Sequence, residues 1–222
     1  MNQLGLPISL NVQMSLENFV ANEQIQSLIG RLFTADEAAE IYVYGTTGCG
    51  KTHLLQAVVF SAIEQSKKAV FIDCTDEIPD YLVEIVADLD WLSIDNIDFI
   101  GEAQQHMLSD LYNRARQSNV NIIVGGPSVP SELDMMKDVK TRLNLAAVFQ
   151  LEALNDGQTK EALHNQMSER NMNIDEKVYS YLFKHYSRDI NMLLGAIDRL
   201  DEASMQAKQG ISIPLAKKIL DI

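Results

Sequence analysis

Gly45-Thr46-Thr47-Gly48-Cys49-Gly50-Lys51-Thr52 decides how the whole chain is read. It fits the template Gly, four residues, then Gly-Lys-Thr, and its flanks supply the context the template needs. The apolar run Ile41-Tyr42-Val43-Tyr44 before it reads as a buried strand. After it, Leu54, Leu55, Val58, Val59, Ala62 and Ile63 recur at helical spacing. In a strand, glycine loop and helix of this kind, backbone N–H groups curl inward onto phosphate oxygens and the helix adds the positive end of its dipole. Lys51 would reach the β- and γ-phosphates and Thr52 would ligate Mg²⁺. The candidate nucleotide contacts run from Gly45 to Thr52 and on to His53, which opens the helix.

Upstream, Gln3-Leu4-Gly5-Leu6-Pro7-Ile8 is apolar, but glycine and proline keep it from being helical. It suits either an edge strand or tail, or an exposed peptide whose leucines fill a partner's pocket. Residues 16–33 show an amphipathic helical pattern with Phe19, Ile25, Leu28, Ile29, Leu32 and Phe33 on one side.

Downstream, the pattern alternates. Ala69-Val70-Phe71-Ile72-Asp73, Asp90-Trp91-Leu92-Ser93-Ile94-Asp95, Val120-Asn121-Ile122-Ile123-Val124 and Ala146-Ala147-Val148-Phe149-Gln150-Leu151 read as further strands. Helices are expected at residues 78–87 and 102–117, and a short one at 130–136. Gly125-Gly126-Pro127 is expected to stop the fourth strand. Five strands alternating with helices imply an α/β domain whose parallel sheet is covered on both faces. From residue 156 onward four helical segments follow, with Asp156 and Asp175 suited to N-caps and Pro214 to a first turn. The expected organisation is an N-terminal peptide at 1–12, a nucleotide-binding domain at 13–152 and a small helical lid at 153–222.

Composition narrows the function. The chain has 222 residues and is 46% hydrophobic, enough for one good core and a small appendage. No apolar stretch approaches membrane length and the start lacks a signal-like core, so no membrane role and a cytoplasmic location are expected. The two cysteines, Cys49 and Cys74, cannot form a disulfide framework. A net charge of −13, nearly all of it before the helical lid, repels phosphate backbones, so strong direct DNA binding is not expected.

Asp95, ending an apolar strand, is placed to hold Mg²⁺ through water as the second acidic element of a phosphate-loop site. Hydrolysing proteins of this class usually follow that aspartate with an acidic residue that polarises water. Here Asn96 follows, an amide that cannot accept the proton. Slow unassisted hydrolysis is the expectation.

With these parts in order, the chain resembles the AAA+ family in its initiator-related branch, which contains DnaA. Ile94-Asp95-Asn96-Ile97-Asp98, Asp110-Leu111-Tyr112-Asn113-Arg114 and Ile213-Pro214-Leu215-Ala216-Lys217-Lys218-Ile219-Leu220 are similar to the Hda family, regulatory inactivators of DnaA. The resemblance spans nearly the whole chain, and it implies an AAA+ adaptor. Gln3, Leu4, Leu6, Pro7 and Ile8 match that family's β sliding clamp-binding peptide, so the clamp would supply the attachment to DNA. Thr141-Arg142-Leu143 sits where the family carries its arginine finger, which would act in trans on ATP held by DnaA; the other reading of Arg142 is a surface ion pair with Asp138, worth only about 0 to 1 kcal/mol. Such fingers supply roughly 10³ to 10⁵ in rate.

The family's helical-domain sensor arginine aligns with Asn191 rather than Arg188, and no polar sensor ends the fourth strand. The implied cofactors are Mg²⁺ and ADP in preference to ATP. Relatives self-associate in ways that hide the peptide, so a homo-oligomer is also implied. Two other readings use the same loop: an autonomous AAA+ ATPase, such as a helicase loader or truncated DnaA-like initiator, and a small-molecule kinase. The missing basic DNA-reading domain after the lid weighs against the first and the acidic nucleotide-binding domain against the second.

Overall fold

The computed structural model describes residues 14–20, 23–34, 37–170, 172 and 174–222. The peptide at 3–8 lies outside the described residues. The backbone divides into two compact units, the boundary falling between residues 153 and 154.

In the first unit five strands form one sheet among the described residues: β1 (Glu40–Tyr44), β2 (Ala69–Asp73), β3 (Trp91–Asp95), β4 (Asn121–Gly126) and β5 (Ala147–Gln150). Their order is β2-β3-β4-β1-β5 and every pair is parallel. The side-chain period of two sends alternate residues to opposite faces. Tyr42, Leu92, Ile94, Ile122 and Val124 enter one core; Ile41, Val43, Trp91 and Ile123 enter the other. The first core is closed by α3 (Leu82–Ile85), α4 (Glu102–Gln117) and α5 (Lys137–Leu143), through Leu82, Leu108, Leu111, Tyr112, Val139 and Leu143. The second is closed by α1 (Glu23–Arg31) and α2 (Lys51–Glu64), through Ile25, Leu54, Leu55, Val58, Val59 and Ala62.

Four boundaries differ from the sequence reading. The helix expected at 16–33 is only α1, preceded by bends at 16–18 whose Leu16 and Phe19 still pack on the second core. The helix expected at 78–87 is a single turn, α3, followed by a 3-10 turn at Val86–Asp88. The segment at 130–136 is a 3-10 turn at Pro130–Glu132, and the true helix is α5 just after it. Finally, β4 runs on through Gly125 and Gly126, paired with Val43 and Tyr44. A Cβ at Gly125 would meet Asp95 Oδ1 at 2.7 Å, and one at Gly126 the Tyr42 hydroxyl at 2.0 Å. These glycines make room for side chains from neighbouring strands; they do not end the strand.

The second unit holds α6 (Asp156–Glu169), α7 (Glu176–His185), α8 (Ile190–Ala207) and α9 (Ile213–Leu220) around a core that includes Leu163, Val178, Leu182, Leu193, Ile197, Leu200 and Leu215. Each helix starts on a polar cap. Asn155, not Asp156, caps α6 in a reciprocal box with Gln158. Asp175, Asp189 and Ser212 cap the other three, and Pro214 lies in the first turn of α9. Among the described residues no helix is long and apolar enough to cross a membrane.

Candidate functional site

The phosphate loop joins β1 to α2. Gly48 and Gly50 have φ of 81° and 98°, in the left-handed region where side chains strain. Gly45 is required for another reason: a Cβ there would lie 2.2 Å from the Leu151 carbonyl and 2.7 Å from Cys49 Sγ. Lys51 Nζ donates to the carbonyls of Gly45 at 2.7 Å and Thr46 at 3.1 Å, so the ammonium is folded over the loop. The first turn of α2 carries no acidic residue of its own.

Asp95 reaches this loop from the end of β3. Thr52 Oγ1 donates to its Oδ2 at 2.5 Å, and the Asn96 backbone N–H donates to its Oδ1 at 2.9 Å. The carboxylate is fully buried, and that burial raises its pKa above the ordinary carboxylate range. The two hydrogen bonds and Lys51 oppose the rise, while the charge of Asp73 adds to it. A buried carboxylate touching a loop hydroxyl is the donor pair that Mg²⁺ takes in nucleotide sites, and the glycine loop beside it suits phosphate oxygens. The residues present therefore fit a Mg-nucleotide.

Asn96 is not available to polarise water. It sits at φ 53°, and its Nδ2 donates to Asp73 Oδ1 at 2.9 Å. Asp73, in register with Asp95 on β2, also accepts from the Thr75 N–H and hydroxyl. Burial acts to raise its pKa, but these hydrogen bonds prevail and hold it below the ordinary range. Asp98 lies exposed in the 3-10 turn Ile97–Phe99.

His53 contacts the segment upstream of α1. Its Nε2 lies 2.9 Å from the Ser15 carbonyl and its ring meets Phe19 edge-on at 5.3 Å. Phe19 also stands over Gly50, where a Cβ would meet the ring at 3.1 Å. Phe19, Asp73 and Gly125 thus join the site, and none was singled out for it from sequence. The left-handed glycines and Lys51 announce themselves locally, whereas these three matter only through residues far away in the chain.

Arg142 lies in the last turn of α5. Its Nε and Nη2 donate to the two oxygens of Asp138 at 3.0 and 3.1 Å, and its Nη1 donates to Asn113 Oδ1 on α4. Ser109, also on α4, donates to Asp138 Oδ2 at 2.5 Å. In the second unit Asn191 is exposed in the first turn of α8, while Arg188 pairs with Asp156 at 3.2 Å.

Comparison with known proteins agrees with this layout. Residues 10–150 match the model of the bacterial DnaA ATPase domain, and residues 156–220 match the model of the Hda lid domain. An uncharacterised protein of Haemophilus influenzae is 27% identical over 228 residues, covering 99% of each chain. Domain III of the replication initiation protein DnaA of Thermotoga maritima superposes with a TM-score of 0.83 at 20% identity, over 96% of this chain and 98% of that one. AMPPCP-bound DnaA from Aquifex aeolicus gives 0.70 at 20% identity, over 87% of this chain and 67% of that one. At such identity these two structures speak for the fold.

Proposed function

The chain belongs to the family of the bacterial DnaA ATPase domain, and from that premise we propose that it is a regulator which inactivates DnaA by stimulating hydrolysis of the ATP that DnaA holds. The observation that carries this reading is the lid: after a DnaA-like domain in the chain comes a helical unit matched by the Hda lid model. The chain's own site supports it. Lys51 and the loop N–H groups hold phosphates, and Thr52 with Asp95 holds Mg²⁺, which neutralises phosphate charge. Asn96 is committed to Asp73 and provides no base. A site built in this way retains nucleotide better than it turns it over.

Chemistry then belongs to the partner. Arg142, presented to a neighbouring DnaA, stabilises charge on the γ-phosphate as the bond breaks. Residues Gln3, Leu4, Leu6, Pro7 and Ile8 bind the β sliding clamp, which brings this acidic protein to DNA that it would not bind by charge. Asn191 at the sensor position offers no positive charge to a γ-phosphate, so ADP is the preferred ligand of the chain's own site.

The test is the rate at which DnaA-bound ATP is hydrolysed in the presence of DNA-loaded clamp. Wild type should accelerate it, while Arg142→Ala and the double Leu4→Ala, Leu6→Ala variant should each lose the acceleration. A second reading, an autonomous ATPase, draws on the Thr52 to Asp95 contact. Steady ATP turnover by the isolated protein, with DnaA unaffected, would favour it.

A further inference from the structure

All three nitrogens of the Arg142 guanidinium are engaged within its own unit. Nε and Nη2 form the parallel fork that arginine makes with a carboxylate, here Asp138, and Nη1 is taken by Asn113. The Arg142 side chain keeps only 24% of its exposure, against 51% for Asp138. Asp138 is steadied in turn by the hydroxyl of Ser109, itself a buried residue. A carboxylate and a phosphoryl group offer the guanidinium the same thing, a pair of anionic oxygens in one plane. Asp138 therefore occupies in cis the fork that a phosphate would need in trans.

We propose that Asp138 is a positioning residue that holds Arg142 against its own subunit until the terminal phosphate of a nucleoside triphosphate on a neighbouring chain displaces it. The inference rests on the trans-acting reading of Arg142. Ser109 fixes where the carboxylate waits, and Asn113 keeps a hold on Nη1 when the fork changes partner. The exchange has two consequences. A guanidinium left paired with a carboxylate has its charge cancelled, so Asp138 must be displaced before Arg142 can stabilise a developing negative charge. A competent state that is only fractionally populated lowers apparent affinity by that fraction and leaves the saturated rate alone. Since an exposed pair is a weak restraint, that factor is about two- to fivefold.

The experiment follows hydrolysis of DnaA-bound ATP, with DNA-loaded clamp, across a concentration series of wild type, Asp138→Asn, Asp138→Glu, Ser109→Ala and Arg142→Ala. Asp138→Asn should lower the half-saturating concentration about two- to fivefold at an unchanged plateau. Ser109→Ala should move it the same way by less, and Asp138→Glu, which still pairs at this helical spacing, should restore the wild-type value. Unchanged ADP affinity of each variant verifies that the unit is folded. A half-saturating concentration that stays or rises in Asp138→Asn, or a plateau that falls, overturns the proposal, because Asp138 would then be inert or would serve to aim Arg142. If Arg142→Ala keeps the wild-type plateau, the trans-acting reading itself falls, and that result is read without reference to Asp138.

Discussion

The phosphate loop and the Arg142 cluster each present a cation within one unit, yet they are secured by opposite means. Lys51 is held by backbone carbonyls on a loop whose path depends on left-handed glycines and on a Gly45 that leaves no room for a Cβ. Arg142 is held by side chains, chiefly a carboxylate that remains half exposed. A cation fixed by backbone geometry has one arrangement available. A guanidinium fixed by exchangeable oxygens has a second as soon as other oxygens arrive. The contrast suggests that one region retains a ligand and the other trades one.

The largest effect should come from taking the cation out of the retaining region. Lys51→Ala removes a charged donor from phosphates in a closed loop and should weaken ADP binding at least about thirtyfold by calorimetry. Arg142→Ala should leave that affinity where it is. Equal losses in the two variants would break the comparison, since Arg142 would then serve the chain's own site.

Next in size is the glycine that lets Asp95 reach the loop. A Cβ at position 125 would lie 2.7 Å from Asp95 Oδ1 and 3.2 Å from Leu55 Cδ2. Gly125→Ala should cost about 1 to 3 kcal/mol in denaturant unfolding, the usual range for forcing extra volume into a packed core. It should also blunt the Mg²⁺ dependence of nucleotide binding by pushing Asp95 away from Thr52. Full stability in this variant would mean that Asp95 has freedom the packing does not show.

That pair of glycines also marks where the sequence stops being readable. The phosphate loop was legible because its requirements are local: a buried strand, glycines, Lys51 and a helix follow one another directly. Asp95 was legible as the polar end of an apolar run. Gly125 and Gly126 look like a strand terminator when only their neighbours in the chain are considered; their reason is Asp95 and Tyr42, which arrive from other strands. Helix α5 went unseen because seven residues with two buried apolar positions, Val139 and Leu143, give too little periodicity. With α5 unrecognised, Arg142 was placed by resemblance alone. The ion pair with Asp138 is a sequence reading that the structure shows, but Asn113 and Ser109 depend on how α4 packs beside α5.

A smaller effect should appear, with opposite signs for stability and function, at Asp95. Its pKa is raised above the ordinary 3.8, first by burial. A carboxylate raised on folding adds stability only below its ordinary value, and that stability is lost as pH rises through the folded pKa. Above the folded pKa the ionised group therefore works against the fold. Asp95→Asn should raise the melting temperature of the nucleotide-free protein while abolishing Mg²⁺-dependent binding. A variant that melts lower would show that the carboxylate is needed for packing, and the loop would owe its shape to more than its glycines.

The smallest effect is expected at Asp138, and its smallness sharpens the contrast. The Arg142 fork holds this carboxyl below the ordinary range, with Ser109 adding to the effect. A lowered carboxylate contributes its stability above the ordinary value and loses it as pH falls through the folded pKa. The Asp138 carboxylate therefore does not switch in the neutral range. Asp138→Asn should melt only slightly below wild type near neutrality, the gap closing as pH falls through the carboxylate range, and the pH profile of DnaA stimulation between about pH 6 and 8 should keep its shape in the variant. If Asp138→Asn instead unfolds early, the Arg142 cluster is a structural brace like the glycine loop, and the fork could not change partners without loosening α5. If it melts close to wild type, the hold on Arg142 is independent of the core, which is the condition for exchanging one set of oxygens for another without disturbing the fold.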